Sequence, residues 1–390
     1  MRDYKEILSP KILGLKPSGI RRFFDIANEM EGVISLGVGE PDFKTPWAIR
    51  EAGIRSLEQS KTWYTANAGL QRLKTEVCRY LDRRFGLSYD DKHEIMITVG
   101  GSEAIDDCIR AFVDEGDEVL IPEPSFVAYH PITVLAGGVP VAIPTKAENH
   151  FRLTPEELRA HITDKTKLLV LPYPNNPTGG VMRREDLEAI AQVLRETDIM
   201  VLSDEIYAEL TYGGRHVSIA SIDGMRERTI VVNGFSKTYA MTGWRLGYAV
   251  GPAPVMEQML KIHQYAIMCA PTTSQYAAIE AASSCDDAIA SMADEYNMRR
   301  RLIVDGFRKI GLECFEPEGA FYVFPSIKST GMTSDEFCES LLHHERVAVV
   351  PGTAFGESGE GHFRASYCYS VAHILEALKR IEHFLQGLDK

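Results

Sequence analysis

From about residue 94 onward, apolar residues fall in short, nearly unbroken runs. Between the runs lie longer stretches in which apolar and polar positions mix at helical spacing. Seven runs read as strands: 95–99, 118–121, 139–143, 167–171, 199–203, 229–233 and 246–250. Most are continuous in Val, Ile and Leu, the pattern of strands buried on both faces. Helix starts are marked by Thr154-Pro155-Glu156-Glu157, with proline at the first helical position, and by Thr333-Ser334-Asp335-Glu336. Both have the form of a capping box. Strand–helix alternation of this kind predicts an α/β fold, a mostly parallel seven-stranded sheet covered by helices. After about residue 285 the pattern changes. A helix is predicted over 292–310 and a strand over 320–324. A helix then follows Thr333, with strands over 347–350 and 362–367 and a terminal helix from Ser370. That is a smaller α+β unit. The expected division is a large domain over 33–285 and a small domain made of 1–32 and 286–390, the first thirty residues packing on the smaller unit.

Composition narrows the function. The chain has 390 residues, 45% hydrophobic and 25% charged, enough apolar surface to exclude global disorder. Lys plus Arg total 42 against 55 Asp plus Glu, a net charge of −13. A chain this acidic, with no basic run, is not expected to bind nucleic acid or an anionic membrane. The start, Met1-Arg2-Asp3-Tyr4-Lys5-Glu6, lacks the apolar stretch of a secretory signal, and no apolar run is long enough to span a bilayer. The 7 cysteines are odd in number, and no two have C-x-x-C spacing. They read as free thiols of a reducing cytoplasm. The 11 histidines form no metal pattern.

Ligands of open parallel sheets sit beyond the carboxyl ends of the strands. Four loops there carry unusual side chains. Val99-Gly100-Gly101-Ser102-Glu103 turns a strand into a helix and offers bare N–H groups and a hydroxyl to an anion, or is a plain turn capped by Ser102. Tyr173-Pro174-Asn175-Asn176-Pro177-Thr178-Gly179-Gly180 is a rigid loop able to aim an asparagine at a ligand, or a surface turn. Asp204 directly follows an apolar run, where a carboxylate needs a donor or a cation, or caps the next helix. Lys237 lies just past a buried strand, where desolvation makes an amine easier to deprotonate, although most lysines are simply solvated. A phosphate cradle, an amine, a buried carboxylate, amide and phenol donors and the Arg245 fork have one economical explanation, pyridoxal 5'-phosphate. The amine forms an imine with it, and the carboxylate keeps its pyridine nitrogen protonated. Arg245 and the helix start hold its phosphate.

The chain resembles the class I/II aminotransferases of the fold-type-I pyridoxal-phosphate superfamily, over essentially its whole length. The motif S-K-x-x-x-M-T-G-x-R, here Ser236 to Arg245, carries the resemblance, with Asn175-Asn176-Pro177-Thr178-Gly179 and Asp204-Glu205-Ile206-Tyr207. It implies that Lys237 is the Schiff-base lysine and proton shuttle, and that Asp204 partners the pyridine nitrogen. It implies Tyr207 and Asn176 at the ring oxygen, and Ser102, Glu103, Ser236 and Arg245 around the phosphate. Phe126 resembles the aromatic plate over the ring. Tyr64 resembles the tyrosine that reaches the neighbouring subunit's phosphate. Gly39 resembles a backbone contact to substrate, and Arg364 the fork for the substrate α-carboxylate. Each of Phe126, Tyr64 and Arg364 also has an ordinary reading, as core, packing tyrosine and surface ion pair respectively. Tyr322 fits the substrate pocket or the core equally well.

Two positions depart from the family. Gly234 stands where many relatives carry a phosphate-binding serine, and Ser102 stands where bacterial aspartate aminotransferases of this type often carry a lysine. The second departure weakens aspartate as the main substrate.

The resemblance implies ping-pong transfer of an α-amino group from an L-amino acid to a 2-oxo acid, with 2-oxoglutarate as expected acceptor. The setting is amino-acid biosynthesis by a cytoplasmic homodimer. Ser18-Gly19-Ile20-Arg21, Leu171-Pro172-Tyr173-Pro174 and His263-Gln264-Tyr265 resemble an N-acetyl-diaminopimelate aminotransferase branch. A carbon–sulfur β-lyase on the same scaffold is the alternative. A cofactor-binding regulator lacks room for a DNA-binding segment before the motifs that begin near residue 35. A dehydrogenase lacks a G-x-G-x-x-G after a strand.

Overall fold

The computed structural model describes residues 4–17, 19 and 30–388. Residues 1–3, and Ser18, Ile20 and Arg21 of the branch motif, lie outside them. Strand β1 (Ile34–Ser35) precedes the main sheet. That sheet comprises β2 (Ile95–Thr98), β3 (Glu118–Glu123), β4 (Val139–Pro144), β5 (Thr166–Leu171), β6 (Met200–Asp204), β7 (Thr229–Gly234) and β8 (Gly247–Val250). The spatial order is β2-β8-β7-β6-β5-β3-β4. All neighbours pair parallel except β8, which is antiparallel to both β7 and β2. β2 therefore runs with the parallel set, and only β8 is reversed. Arg245, which precedes β8, thus lies at the same sheet edge as the residues that follow the other strands.

Except in the edge strand β4, where Val139 is exposed and only Ile143 is fully covered, the near-continuous apolar runs are buried, as expected for a sheet covered on both faces. Leu120, Leu169 and Val201 pack on one side beneath helix Arg184–Arg195, while Val119, Leu168, Leu202 and Ile230 pack on the other beneath helix Gly101–Phe112.

The smaller unit holds β9 (Tyr322–Val323), β10 (Val347–Ala348), β11 (Val350–Pro351) and β12 (Phe363–Ser366). Its antiparallel sheet has the order β11-β12-β9, and β1 pairs parallel with β10. The predicted strand over 347–350 is split at Val349, so that its two halves join different sheets. Helices Asp286–Lys309, Ser334–Glu345 and Val371–Leu388 enclose a core with Phe307, Phe337, Phe363 and Phe384 at its centre. Of the two expected capping boxes, the one at Thr333 is complete: its Oγ1 accepts from Glu336 N–H and Glu336 accepts from Thr333 N–H. At Thr154 only the hydroxyl half forms, and Glu157 turns toward Lys146. Met30 and Val33 pack on Leu342 and Ala348 of the smaller unit. Helix Pro10–Gly14 instead lies against helix Tyr129–Ala136 beside the main sheet.

Candidate active site

One cavity of about 340 Å³ opens where the carboxyl ends of β2, β5, β6 and β7 meet the smaller unit. Ser102, Phe126, Asn176, Asp204, Tyr207, Ser236, Lys237, Arg245, Gly39 and Arg364 all line it. Residues from 39 to 364 are gathered because each main-sheet loop leaves the same edge and β12 brings Arg364 in from the other side.

Lys237 sits on the short helix Phe235–Thr238 directly after β7. Its Nζ donates to the Gly39 carbonyl at 2.6 Å and lies 5.6 Å from the centre of the Phe321 ring. Enclosure of the ammonium end pulls its pKa down to about 8; Cys368 and Glu40 oppose that shift, and the Arg364 and Arg245 charges add to it. Solvated lysines stay protonated to about 10.4. An amine-selective aldehyde at pH 8, followed by reduction and peptide mapping, is therefore expected to mark Lys237 first in the cofactor-free protein. Labelling spread evenly over the surface lysines would contradict this.

Asp204 ends β6 and is buried. Burial pushes its pKa up to about 6, against the pull of a 2.7 Å hydrogen bond from Tyr129 Oη and one from Ile206 N–H at 3.2 Å. Tyr129 is a site residue that the sequence reading missed. It lines the cavity and meets Phe126 edge-on at 5.7 Å, so one side chain steadies both the carboxylate and the aromatic plate. Its only sequence signal was its place three residues after Phe126.

The loop after β5 is tied to itself. Asn175 Oδ1 accepts from both Thr178 N–H and Thr178 Oγ1, and Asn175 exchanges backbone bonds with Gly179 and Gly180. Asn176 is left facing the cavity, where its Oδ1 accepts from Arg364 Nη1 at 2.9 Å. Arg364 Nη2 donates to the Gly37 carbonyl, and the guanidinium lies over the Tyr322 and Phe355 rings at 4.4 and 4.8 Å. The residue is 3% exposed, and among the described residues no carboxylate pairs with it and its Nε has no partner. A buried cation held only by neutral oxygens and rings is poised for an anionic ligand. Tyr207 Oη and Tyr322 Oη are 2.9 Å apart, which places Tyr322 in the site as well as in the core.

At the opposite end, Gly100 has φ +79, and a Cβ there would come within 2.7 Å of Arg245 Nη2. The turn is thus bare so that the guanidinium can close over it. The glycine at 234 also has a reason: a side chain would crowd Gly247 and Ile206 at 3.1 Å. Gly39 leaves no room either, since a Cβ would fall 2.0 Å from Tyr322 Oη. Hydroxyls, helix-start N–H groups and a guanidinium at one end, with an amine and a buried carboxylate between them and Arg364, fit the phosphate, aldehyde and ring nitrogen of pyridoxal phosphate.

One expected member, Glu103, does not line the cavity. The Glu103 carboxylate turns back, accepting from Val99 N–H and pairing with His263 Nδ1 at 2.7 Å. An anion would in any case repel a phosphate, so Glu103 braces the turn instead of gripping the ligand. Tyr64 is 76% exposed on the outer surface, away from the cavity lining of its own chain.

A doubly covered α/β sheet with this site at its carboxyl edge is the architecture of fold-type-I aminotransferases, and solved structures of that class superpose on it closely. The aromatic aminotransferase of Pyrococcus horikoshii OT3 matches with a TM-score of 0.90 and 45% identity, covering 94% of this chain and 99% of that one. Residues 31–381 match the family described as aminotransferase class I and II, and the chain belongs to that family. The chain is 54% identical to the YugH protein of Bacillus subtilis (strain 168) over 97% of its own length and 98% of the relative's. It is 46% identical to the aspartate aminotransferase of Pyrococcus abyssi, again over 97% and 98%. The protein is thus an aminotransferase, and its family is generally pyridoxal-phosphate-dependent. Among the described residues no helix is long and apolar enough to cross a membrane.

Proposed function

We propose that the protein uses pyridoxal phosphate to move an α-amino group from an L-amino acid to a 2-oxo acid, with 2-oxoglutarate as acceptor, in amino-acid biosynthesis. One observation carries the reading: an enclosed amine, a buried carboxylate and a buried arginine without a carboxylate partner face a single cavity.

Bound there, pyridoxal phosphate supplies an aldehyde carbon and a protonated ring that draws electrons from the substrate α-carbon. Ser102, Ser236, Arg245 and the N–H groups of the Gly100–Gly101 turn would hold its phosphate. Phe126 would cover the ring. Asp204 would keep the ring nitrogen protonated, and Tyr207 and Asn176 would donate toward the ring oxygen. Arg364 fixes the substrate carboxylate through two N–H groups, and Gly39 closes the site by backbone contact. Lys237 Nζ, the enclosed amine of the cavity, would accept and pass on the substrate α-proton. One Lys237 and one Arg364 in a cavity of this size serve one substrate at a time. Amino donor and oxo-acid acceptor therefore take turns, which is ping-pong kinetics.

Arg364→Lys is expected to cut kcat/KM for every α-carboxylate substrate by about 100-fold, because a lysine cannot reproduce the fork. Most of the loss falls on KM. Steady-state kinetics with two unrelated donors checks it, and an unchanged KM would remove Arg364 from the substrate site.

The homodimer is supported by an exposed apolar patch. Trp63, Tyr64, Tyr265 and Met268 are all exposed, and the two segments are tied by hydrogen bonds from Thr272 Oγ1 to Trp63 O and from Asn67 Nδ2 to Met268 O. An aromatic surface of this kind suits a second copy, across which Tyr64 would reach the partner's phosphate. The 7 cysteines are all free thiols, in keeping with a cytoplasmic setting.

A half-reaction screen tests the whole reading. Aspartate, aromatic amino acids, alanine and N-acetyl-diaminopimelate are each mixed with the yellow holoenzyme, with no oxo acid present. Stoichiometric bleaching with release of the matching oxo acid is expected for the true donor. Catalytic accumulation of pyruvate and ammonia would instead establish the β-lyase.

A further inference from the structure

Behind the anion-binding turn lies a buried group that the reaction itself does not use. His263 is 0% exposed on helix Ala253–Ala266, which packs across helix Gly101–Phe112. Its Nδ1 is 2.7 Å from Glu103 Oε1, and Glu103 Oε2 accepts the N–H of Val99. Glu103 is the third residue of its helix, so this bond spans the turn from the end of β2 to Ser102. Asp107, one helical turn further on and 1% exposed, completes a set whose polar atoms all lie within 4.8 Å of one another.

The set has the donor types of a divalent-cation site, but its geometry is that of a hydrogen bond. Two ligands of one ion bound near 2.1 Å sit about 3 Å apart or more, whereas Glu103 Oε1 and His263 Nδ1 are closer. The charges agree. Burial pushes Asp107 up to about 8, with Glu103 adding to the shift, so it keeps its proton at neutral pH and brings no second anion. Burial opposes a charge on His263, yet the Glu103 hydrogen bond and the Glu103 charge raise its pKa. The result is a buried hydrogen bond between His263 and Glu103 aimed along the turn.

We propose that His263 is a positioning residue for the phosphate end of the site: by holding Glu103 it fixes the Val99–Ser102 turn in its anion-binding shape. The inference rests on the pyridoxal-phosphate reading above. A residue that acts through this turn should matter for a ligand with a phosphate and be indifferent to the same ligand without one.

The test is therefore a comparison of pyridoxal phosphate with pyridoxal, by absorbance titration of the cofactor-free wild type, His263→Ala and His263→Asn. In His263→Ala the Kd for pyridoxal phosphate should rise about tenfold or more, the cost of a lost charge-assisted buried hydrogen bond, while that for pyridoxal changes less than twofold. His263→Asn places an amide N–H where Nδ1 stood and should recover most of the loss. If His263→Ala does not fold, Glu103→Gln gives the same comparison with side-chain volume preserved. Equal weakening of both ligands, or an unchanged ratio, overturns the inference. A wild type that binds pyridoxal phosphate no more tightly than pyridoxal overturns the site reading itself, which is a distinguishable result.

Discussion

Replacing Lys237 with alanine is expected to lower turnover by at least about 10⁴-fold with the best amino donor, the upper range for a positioned proton-transfer group. No neighbour can substitute. Among the described lining residues it is the only lysine, and the other cations, Arg245 and Arg364, stand at the two ends of the cavity. The fold should not suffer. Lys237 makes one hydrogen bond, to Gly39 O, and otherwise faces Phe321. Its pKa of about 8 lies below the unfolded value of about 10.4. The sign follows: the unfolded chain holds this proton more tightly, so the residue opposes folding fully below pH 8, and the opposition fades as pH rises through the unfolded value. At pH 7 the cofactor-free Lys237→Ala protein should therefore melt at the same temperature as wild type or higher, while losing activity. Calorimetry and steady-state kinetics on one preparation test both halves. Substantial remaining turnover in a well-folded variant would refute the assignment.

That opposition between stability and chemistry marks what could be read from residue order alone. Asp204, Ser102 and Lys237 each sit at the end of an apolar run, and burial of the run forces the next side chain to the sheet edge. Strand content therefore located them before any contact was known. What the order could not show were bonds closed across distance. Tyr129 and Asp204 are 75 positions apart, and Glu103 and His263 are 160 apart. Glu103 next to Ser102 reads as part of the same cradle, yet a helix turns adjacent side chains about 100° apart. Ser102 thus meets the cavity while Glu103 meets the neighbouring helix. The reversal of β8 was equally hidden, because a buried strand has the same composition in either direction, and it is this reversal that places Arg245 beside Gly100.

Asp204→Asn should be the second most damaging change, with kcat reduced by about 10²–10⁴-fold and KM changed little. An amide has nearly the shape of the carboxylate, so its one oxygen can still accept from Ile206 N–H while its NH2 donates to Tyr129 Oη. What is lost is the negative charge that holds a proton on the ring nitrogen. The pH profile carries the sharper test. Asp204 ionises near pH 6 in the cofactor-free protein, because burial raises its pKa more than Tyr129 and Ile206 lower it. Tyr129→Phe removes one of the two lowering influences and also leaves a carboxylate oxygen short of a donor in the interior. The carboxyl should then ionise at higher pH. In that variant its titration, followed by carbon-detected NMR of the cofactor-free protein, should move upward, and the acid limb of the activity profile should move the same way. A merely structural tyrosine would change thermal stability and leave the titration where it was. An unmoved titration in Tyr129→Phe would detach Tyr129 from the chemistry, whereas full activity in Asp204→Asn would detach the carboxylate itself.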